Sequence, residues 1–154
     1  MLPAATYFGS AEGGALPIGV ADLRYDDIPA TADQLPRIRR ALTAWVQHLG
    51  VSADDATGVV LATYEAMANV VTHAYPHQQG TFDVHAAYCH DQRYLTITVS
   101  DRGRWRLWSS NSATHQGMGL QLIQALAADA TVERGARGTT VRLGWHIRGD
   151  SSHW

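Results

Sequence analysis

Cysteine is nearly absent from this sequence, and charged residues are sparse. The single cysteine among 154 residues, Cys89, cannot form an internal disulfide, which fits a reducing cytoplasm. It also leaves the eight histidines without the cysteine partners of a typical zinc site. The formal net charge of −2 gives no general reason to expect nucleic acid or an anionic membrane as a partner.

Long apolar runs and targeting signals are also missing. No apolar stretch approaches the ~20 residues needed to span a bilayer. The opening residues, Met1 to Ala5, lack both a basic start and an apolar core, so no signal peptide is expected. We therefore expect a soluble, cytoplasmic protein with no membrane partner and no nucleic-acid partner. The remaining composition, 45% hydrophobic and 17% charged, is typical of one globular domain.

The chain divides into one domain and two tails. Residues 1–17 are rich in Ala, Gly and Ser and have no periodicity, so we expect a flexible tail or linker there. The domain is expected over residues 18–147, followed by a short flexible tail at 148–154. The sequence leaves open whether this domain is free-standing or belongs to a longer regulator.

Hydrophobic periodicity predicts helices grouped beside antiparallel strands. The first strand is expected over residues 18–25 and is closed by Asp26, Asp27 and Pro29. Helices are expected from the N-cap Thr31 to Gly50, from the N-cap Ser52 to Tyr75, and over residues 118–128. The remaining strands are predicted at 81–89, 94–100, 130–134 and 139–145. This grouping indicates an α+β two-layer sandwich rather than a doubly wound sheet.

A polar stripe interrupts the second helix. Glu65, Asn69 and His73 recur every four residues and therefore share one face. The small neighbours on that face are expected to leave open space: Gly58, Ala62 and Ala66. The apolar side of the helix is expected to consist of Val60, Tyr64, Met67, Val71 and Ala74.

The stripe has a chemical interpretation. A carboxamide oxygen such as that of Asn69 is a reasonable ligand for Mg²⁺, which keeps several waters and uses substrate phosphates. A carboxylate one turn away, Glu65, can take a proton from a water or hydroxyl that attacks a phosphate. The alternative is that both are ordinary exposed helix residues.

Two further polar clusters lie at the ends of predicted elements. Asp101-Arg102-Gly103 follows a strand, where the carboxylate can accept from the amino group of adenine and the glycine lets a flat base approach. The alternative there is a simple Asp-Gly turn. The second cluster opens a helix, where free N–H groups favour phosphates: Gly117, Met118, Gly119 and Leu120. A flexible hinge explains that cluster equally well, since it is neither a P-loop nor a complete dinucleotide fingerprint.

The order of these parts resembles the GHKL ATPase superfamily. Within it, the sequence looks most like the bacterial anti-sigma factor serine/threonine kinases of the RsbW and SpoIIAB type. The resemblance runs from about Arg24 to Trp145 and is carried by EAMANVVTHAY at 65–75, GMGL at 117–120 and GTTVRL at 138–143. It implies the Bergerat fold, a mixed-to-antiparallel sheet covered on one side by helices.

The resemblance also implies roles for individual residues. Glu65 would be the general base and Asn69 the Mg²⁺ ligand. ATP or ADP would be held through Asp101 at the adenine and Gly103 beneath the base. The other implied nucleotide contacts are Ala74, Thr139 acting through a water, and Gly117, Met118, Gly119 and Leu120 around the phosphates.

The resemblance further implies partners. Kinases of this type are usually homodimers that hold a sigma factor inactive and phosphorylate a Ser or Thr of an anti-anti-sigma, STAS-domain protein. Two other interpretations stay open: a non-catalytic nucleotide-binding module that switches partners, and a GHKL ATPase or histidine-kinase catalytic domain.

One position departs from the superfamily pattern. Its Asp-x-Gly-x-Gly box reads Asp101-Arg-Gly-Arg-Trp105 here, so tryptophan replaces the second glycine. The segment between Gly103 and Gly117, residues 104–116, corresponds to a short lid in this resemblance. Trp105 could pack against the base or the lid, and Trp105 and Trp108 could equally be partner contacts. Arg102, Arg104 and Arg106 are interpreted as a solvated surface or as contacts to phosphates or an acidic partner.

Overall fold

A computed structural model describes residues 21–105 and 121–148. The strands in these ranges are β1 (Leu23–Pro29), β2 (Thr81–Cys89), β3 (Tyr94–Asp101), β4 (Asp129–Gly135) and β5 (Gly138–His146). The helices are α1 (Leu35–His48), which follows a 3₁₀ turn at Ala32–Gln34, α2 (Ala53–His73), and a helical segment α3 at residues 121–126. None of the helices described is both long enough and apolar enough to cross a membrane.

The strands form one sheet in the order β1-β2-β3-β5-β4, and each neighbouring pair is antiparallel. Helix α2 lies against β3 and β5, and α1 packs beside α2. The predicted α+β two-layer fold is therefore confirmed. The hairpin of β2 and β3 has the bounds expected from the alternating pattern, apart from one further residue at the end of β3.

The register of the sheet sets buried side chains side by side. Val84, Val99 and Val141 form one row across β2, β3 and β5, and Ala86, Ile97 and Leu143 form the next. The row toward the end of β3 pairs Phe82 with Asp101. Asp101 thus occupies a position of the apolar face, and it is the one charged side chain that is buried in the described ranges.

Two helix starts differ in how they are capped. The Ser52 hydroxyl accepts from the Asp55 N–H at 3.1 Å, so the predicted cap of α2 is confirmed. Thr31 precedes a 3₁₀ turn and makes no side-chain capping bond to it, and α1 begins only at Leu35, so the predicted cap of the first helix is wrong. Gly50 follows Leu49, the C-cap of α1, and its φ of 69° lies in the left-handed region that favours glycine.

The first strand was predicted too early in the chain. Asp26 and Asp27 do not close it, because β1 continues through them and ends at Pro29, which pairs with Thr81. The register shifts between Tyr25 and Ile28, where Asp27 has a φ of 55° and its N–H donates to Asp83 Oδ1 at 2.8 Å. This irregularity lets an edge strand carry polar residues without breaking the pairing.

The prediction of the faces of α2 was partly wrong. Ala62 and Ala66 leave no open space, since both are completely buried, whereas Val60 and Tyr64 are only half-buried. The buried side consists of Val59, Ala62, Thr63, Ala66, Met67, Val70 and the C-cap Ala74. Small side chains there let the helix lie close to the sheet. Glu65, Asn69 and His73 remain together on a half-buried flank.

Candidate functional site

The Asp101 carboxylate is held by three N–H groups at the end of β3. Oδ1 accepts from the backbone of Gly103 at 3.0 Å and of Thr139 at 3.3 Å. Oδ2 accepts from the indole Nε1 of Trp105 at 2.9 Å. Asp101 is 5% exposed, so these bonds fix the orientation of a charged group that would otherwise be poorly accommodated. We call Asp101 with these three donors the Asp101 cradle.

Gly103 allows the chain after β3 to touch the end of α2. A Cβ at this position would lie 2.0 Å from the carbonyl oxygen of Ala74, a distance that real Cβ atoms do not adopt. The next residue, Arg104, donates its N–H to that same oxygen at 2.9 Å. The sequence grouped Ala74 and Gly103 through the resemblance alone, and the structure places them in direct contact.

Gly138 allows β5 to begin directly over the end of β3. Its φ is 134°, and a Cβ would lie 1.9 Å from the carbonyl oxygen of Asp101. This close approach brings the backbone of Thr139, which is 4% exposed, within reach of the Asp101 carboxylate. The Asp101-Arg102-Gly103 cluster and Thr139, which was selected through the resemblance, therefore lie side by side.

Tyr75 links the end of α2 to β2 and to the residue that follows β3. Its hydroxyl donates to the carbonyl of Thr81 and accepts from the N–H of Arg102 at 2.9 Å. A Cβ added at Gly80 would lie 2.3 Å from carbon atoms of the Tyr75 ring, so the ring needs glycine at that position. Sequence reasoning placed Tyr75 in the matching helix box but gave it no role. Its position between α2, β2 and the end of β3 explains how the helix end and the cradle are kept together.

The polar stripe of α2 starts at the cradle and leads away from it. The ring centroid of His73 lies 5.7 Å from that of Trp105, which marks the cradle end of the stripe. Burial lowers the pKa of His73, which favours the neutral form of the ring. With a rise of about 1.5 Å per residue, Glu65 lies roughly 12 Å from His73 along the helix axis, toward the N-terminus of α2 and away from the cradle. Asn69 lies between them, and all three are half-buried.

Several hollows adjoin these residues. One, of about 300 Å³, is lined by residues that include Gly103, Trp105, Arg134 and Thr139. A larger one, of about 740 Å³, lies between α1 and α2 and has Glu65 at its border. The smaller hollow adjoins the cradle, as does another of about 430 Å³ that Asp101 and Gly138 help to line, while the largest of these has Glu65 among its lining residues.

The chemistry of the stripe fits a metal that arrives with phosphates better than a resident metal. The described residues contain no group of three or more His, Cys, Asp or Glu side chains able to hold an ion. Mg²⁺ binds through one or two protein oxygens, several waters and substrate phosphates. The Asn69 carboxamide, half-buried one turn from Glu65, suits that mode.

Part of the predicted site lies outside the residues that the structure describes. Gly117, Met118, Gly119 and Leu120 are outside the described residues, as are Arg106 and Trp108, so their roles remain predictions. Sequence reasoning missed that Trp105 donates to Asp101 and that the guanidinium of Arg134 lies 5.7 Å from the centroid of the Trp105 ring. The one available signal was the tryptophan in place of the second glycine.

The fold is an α+β domain of the GHKL class, as the order of motifs predicted. A family model described as a histidine kinase-like ATPase domain matches residues 28–145. The match covers most of the sequence, so the chain belongs to the histidine kinase-like ATPase domain family.

Curated relatives narrow the likeness further. The chain is similar to the serine-protein kinase RsbW of Staphylococcus aureus, for example of strains RF122 / ET3-1 and MRSA252. The identity is 26% over 137 residues, which cover 79% of this chain and 84% of the relative. This likeness is what the anti-sigma kinase resemblance predicted.

Solved structures also match this chain. The chain matches a structure of the RsbU and RsbW domains of Rv1364c from Mycobacterium tuberculosis with a TM-score of 0.66 and 27% identity. That match covers 82% of this chain but only 32% of the other, which is therefore much the longer protein. A histidine kinase domain from Erythrobacter litoralis matches with a TM-score of 0.54 and 19% identity over 75% of this chain and 60% of that one, which shows the shared fold alone.

Proposed function

We propose that this protein is an ATP-dependent serine/threonine kinase that holds a sigma factor inactive and phosphorylates a STAS-domain antagonist. The observation that carries the proposal is the Asp101 cradle, joined through His73 to a helix flank that presents Asn69 and Glu65 in turn. The likeness to serine-protein kinases named RsbW supports the choice of reaction. The sigma factor and the antagonist are implied by that resemblance.

In this proposal the cradle recognises the adenine end of the nucleotide. The Asp101 carboxylate accepts a hydrogen bond from the exocyclic amino group, and the bare backbone of Gly103 lets the base lie flat. Thr139 assists from the start of β5 through a water, and Ala74 closes the side formed by the end of α2.

The phosphates then extend along the stripe of α2. Asn69 offers a carboxamide oxygen to Mg²⁺, which when bound would neutralise phosphate charge. Glu65, at the far end, takes the proton from the Ser or Thr hydroxyl as that oxygen attacks the terminal phosphorus, whose bond to the bridging oxygen breaks so that ADP leaves. The groove between α1 and α2 lets the substrate protein reach Glu65.

Nucleotide selectivity is the first test. Calorimetric titration in the presence of Mg²⁺ should show binding of ATP and ADP, with GTP weaker by at least about tenfold. Guanine presents a carbonyl oxygen where adenine has its amino group, so the carboxylate would lose a hydrogen bond. If neither ATP nor ADP binds, the proposal fails.

Phosphate transfer is the second test. Labelled ATP and Mg²⁺ are incubated with the protein and a candidate STAS-domain protein, and label is sought on Ser or Thr. If nucleotide binds but no tested partner becomes labelled, the partner-switching module without catalysis is the better interpretation. Label on a histidine would favour the histidine-kinase alternative. We also expect a homodimer, which sedimentation velocity measures directly.

A further inference from the structure

We propose that Trp105 is an internal occupant of the base site, whose indole takes the place of adenine on Asp101 and must leave before a nucleotide can bind. This inference rests on the proposed function, because it assumes that the cradle is the adenine site. It goes further in naming a residue of this chain that competes with the nucleotide and sets its affinity.

The hydrogen-bond pattern of Asp101 supports the inference. Both backbone donors, Gly103 and Thr139, bond to Oδ1, and the indole N–H of Trp105 bonds to Oδ2 at 2.9 Å. Among the described residues no backbone N–H bonds to Oδ2, so this oxygen is the one that a ligand amino group would use. An adenine amino group and an indole N–H are both planar donors attached to an aromatic system, so they suit the same acceptor.

The surroundings of the indole are those expected of a base site. The His73 ring lies 5.7 Å from the ring of Trp105 and is tilted by 40°, and the Arg134 guanidinium lies 5.7 Å from its centroid. Aromatic and guanidinium groups are the usual neighbours of a bound base. Trp105 is 7% exposed, so it fills this space rather than covering it from outside. An indole and a purine are also alike in shape, since each fuses a five-membered ring to a six-membered ring.

Burial at this position also decides between the two interpretations of Trp105 made from the sequence. A tryptophan that anchors a partner must offer its ring to solvent, and this ring is enclosed. The glycine that the superfamily has here brings no side chain into the base site. Replacing it by tryptophan supplies a donor and a ring at once, four residues after the carboxylate that it contacts.

The energetic consequence is a reduced affinity for nucleotide. If the indole fills the site most of the time, only the small open fraction can bind, and the apparent dissociation constant rises in inverse proportion to that fraction. A hydrogen bond to a charged acceptor favours the closed form by roughly tenfold or more. Removing the indole should therefore tighten nucleotide binding by about tenfold or more.

The test compares affinities for Mg²⁺-ADP and Mg²⁺-ATP by calorimetry. Trp105→Gly should bind about tenfold more tightly than the wild type, and Trp105→Phe, which keeps a ring but loses the N–H, should show a smaller gain. Trp45→Phe is the matched control. Trp45 lies in α1, away from the cradle, is 3% exposed, and donates its indole N–H to the carbonyl oxygen of Ala21 at 2.8 Å. That variant should bind like the wild type.

The outcomes separate the two proposals. If wild type binds nucleotide and Trp105→Gly binds equally or less tightly, the indole is no competitor and this inference is overturned, while the proposed function stands. If no form binds ATP or ADP, both fail.

A measurement on the unmodified protein covers the case in which Trp105→Gly does not fold. The indole ¹⁵N–¹H signal of Trp105, identified by its loss in Trp105→Phe, should exchange slowly with solvent without nucleotide and quickly at saturating Mg²⁺-ADP. Unchanged protection in the nucleotide-bound protein would overturn the inference.

Discussion

Gly138→Ala should weaken the fold through one backbone contact. The φ of Gly138 is 134°, a value that residues with a side chain rarely adopt, and the added Cβ would lie 1.9 Å from the Asp101 carbonyl oxygen. The Asp101 carbonyl carbon and the Arg102 Cα follow at 2.7 and 2.8 Å. All three atoms belong to the backbone, so no side-chain rotation relieves the overlap.

The expected loss follows from two contributions. A residue held in a sparsely populated backbone region costs about 1–3 kcal/mol. Displacing packed atoms to admit a methyl group costs a further ~1–3 kcal/mol. We therefore expect Gly138→Ala to lower the free energy of unfolding by roughly 2–6 kcal/mol, a large part of the ~5–15 kcal/mol of a typical domain.

Urea denaturation followed by circular dichroism measures this loss. Gly135→Ala is the matched control at the other end of the same turn, because its Cβ would meet nothing within 4 Å. Its cost should stay within about 0.5 kcal/mol. Equal costs for the two variants would refute the argument that β5 is held against the end of β3 by a contact only glycine permits.

The remaining predictions concern a helix cap and two titrations. Ser52→Ala should cost about 1 kcal/mol in urea denaturation by removing the acceptor for the Asp55 N–H; a cost near zero would contradict the cap. Burial lowers the pKa of His73 below 6.5, so the unfolded chain binds that proton first and stability falls as the pH drops through about 6.5. His73→Gln should make this fall shallower, and an unchanged slope would exclude the linkage. The hydrogen bond to Asp129 raises the pKa of Tyr94 to about 12, so stability should fall between about pH 10 and 12. Tyr94→Phe should remove that part of the fall, and ultraviolet titration showing an ordinary phenol pKa at Tyr94 would be inconsistent with the contact.

Local patterns predicted the elements of this fold because periodicity and capping depend on nearby residues. The Ser52 cap, the β2–β3 hairpin and the shared flank of Glu65, Asn69 and His73 follow from spacing alone. The α+β class followed from their order. The interpretation of these residues as a nucleotide site came from the resemblance of their motifs to the GHKL superfamily, since a Glu/Asn pair or an Asp-Gly turn on its own has simpler explanations.

Features set by contacts distant in sequence could not be predicted. The bond from Thr139 to Asp101 joins residues 38 apart and depends on strand order and register. Burial of Ala62 and Ala66 depends on how closely α2 approaches the sheet, which the helical period does not determine. The irregularity at Asp27 requires Asp83 of the neighbouring strand as acceptor. In each case the deciding partner lies on another element.

The central claim is that the stripe of α2 separates two tasks, with Asn69 holding Mg²⁺ and nucleotide and Glu65 serving the transfer alone. One parallel measurement tests it: equilibrium affinity for Mg²⁺-ATP and label transfer to the STAS-domain protein, in both variants. Glu65→Gln should keep wild-type affinity and lose transfer by about a hundredfold or more, whereas Asn69→Ala should lose affinity. Glu133→Gln, an exposed carboxylate on β4, is the control and should change neither. Transfer that persists in Glu65→Gln, or affinity that persists in Asn69→Ala, would contradict the account.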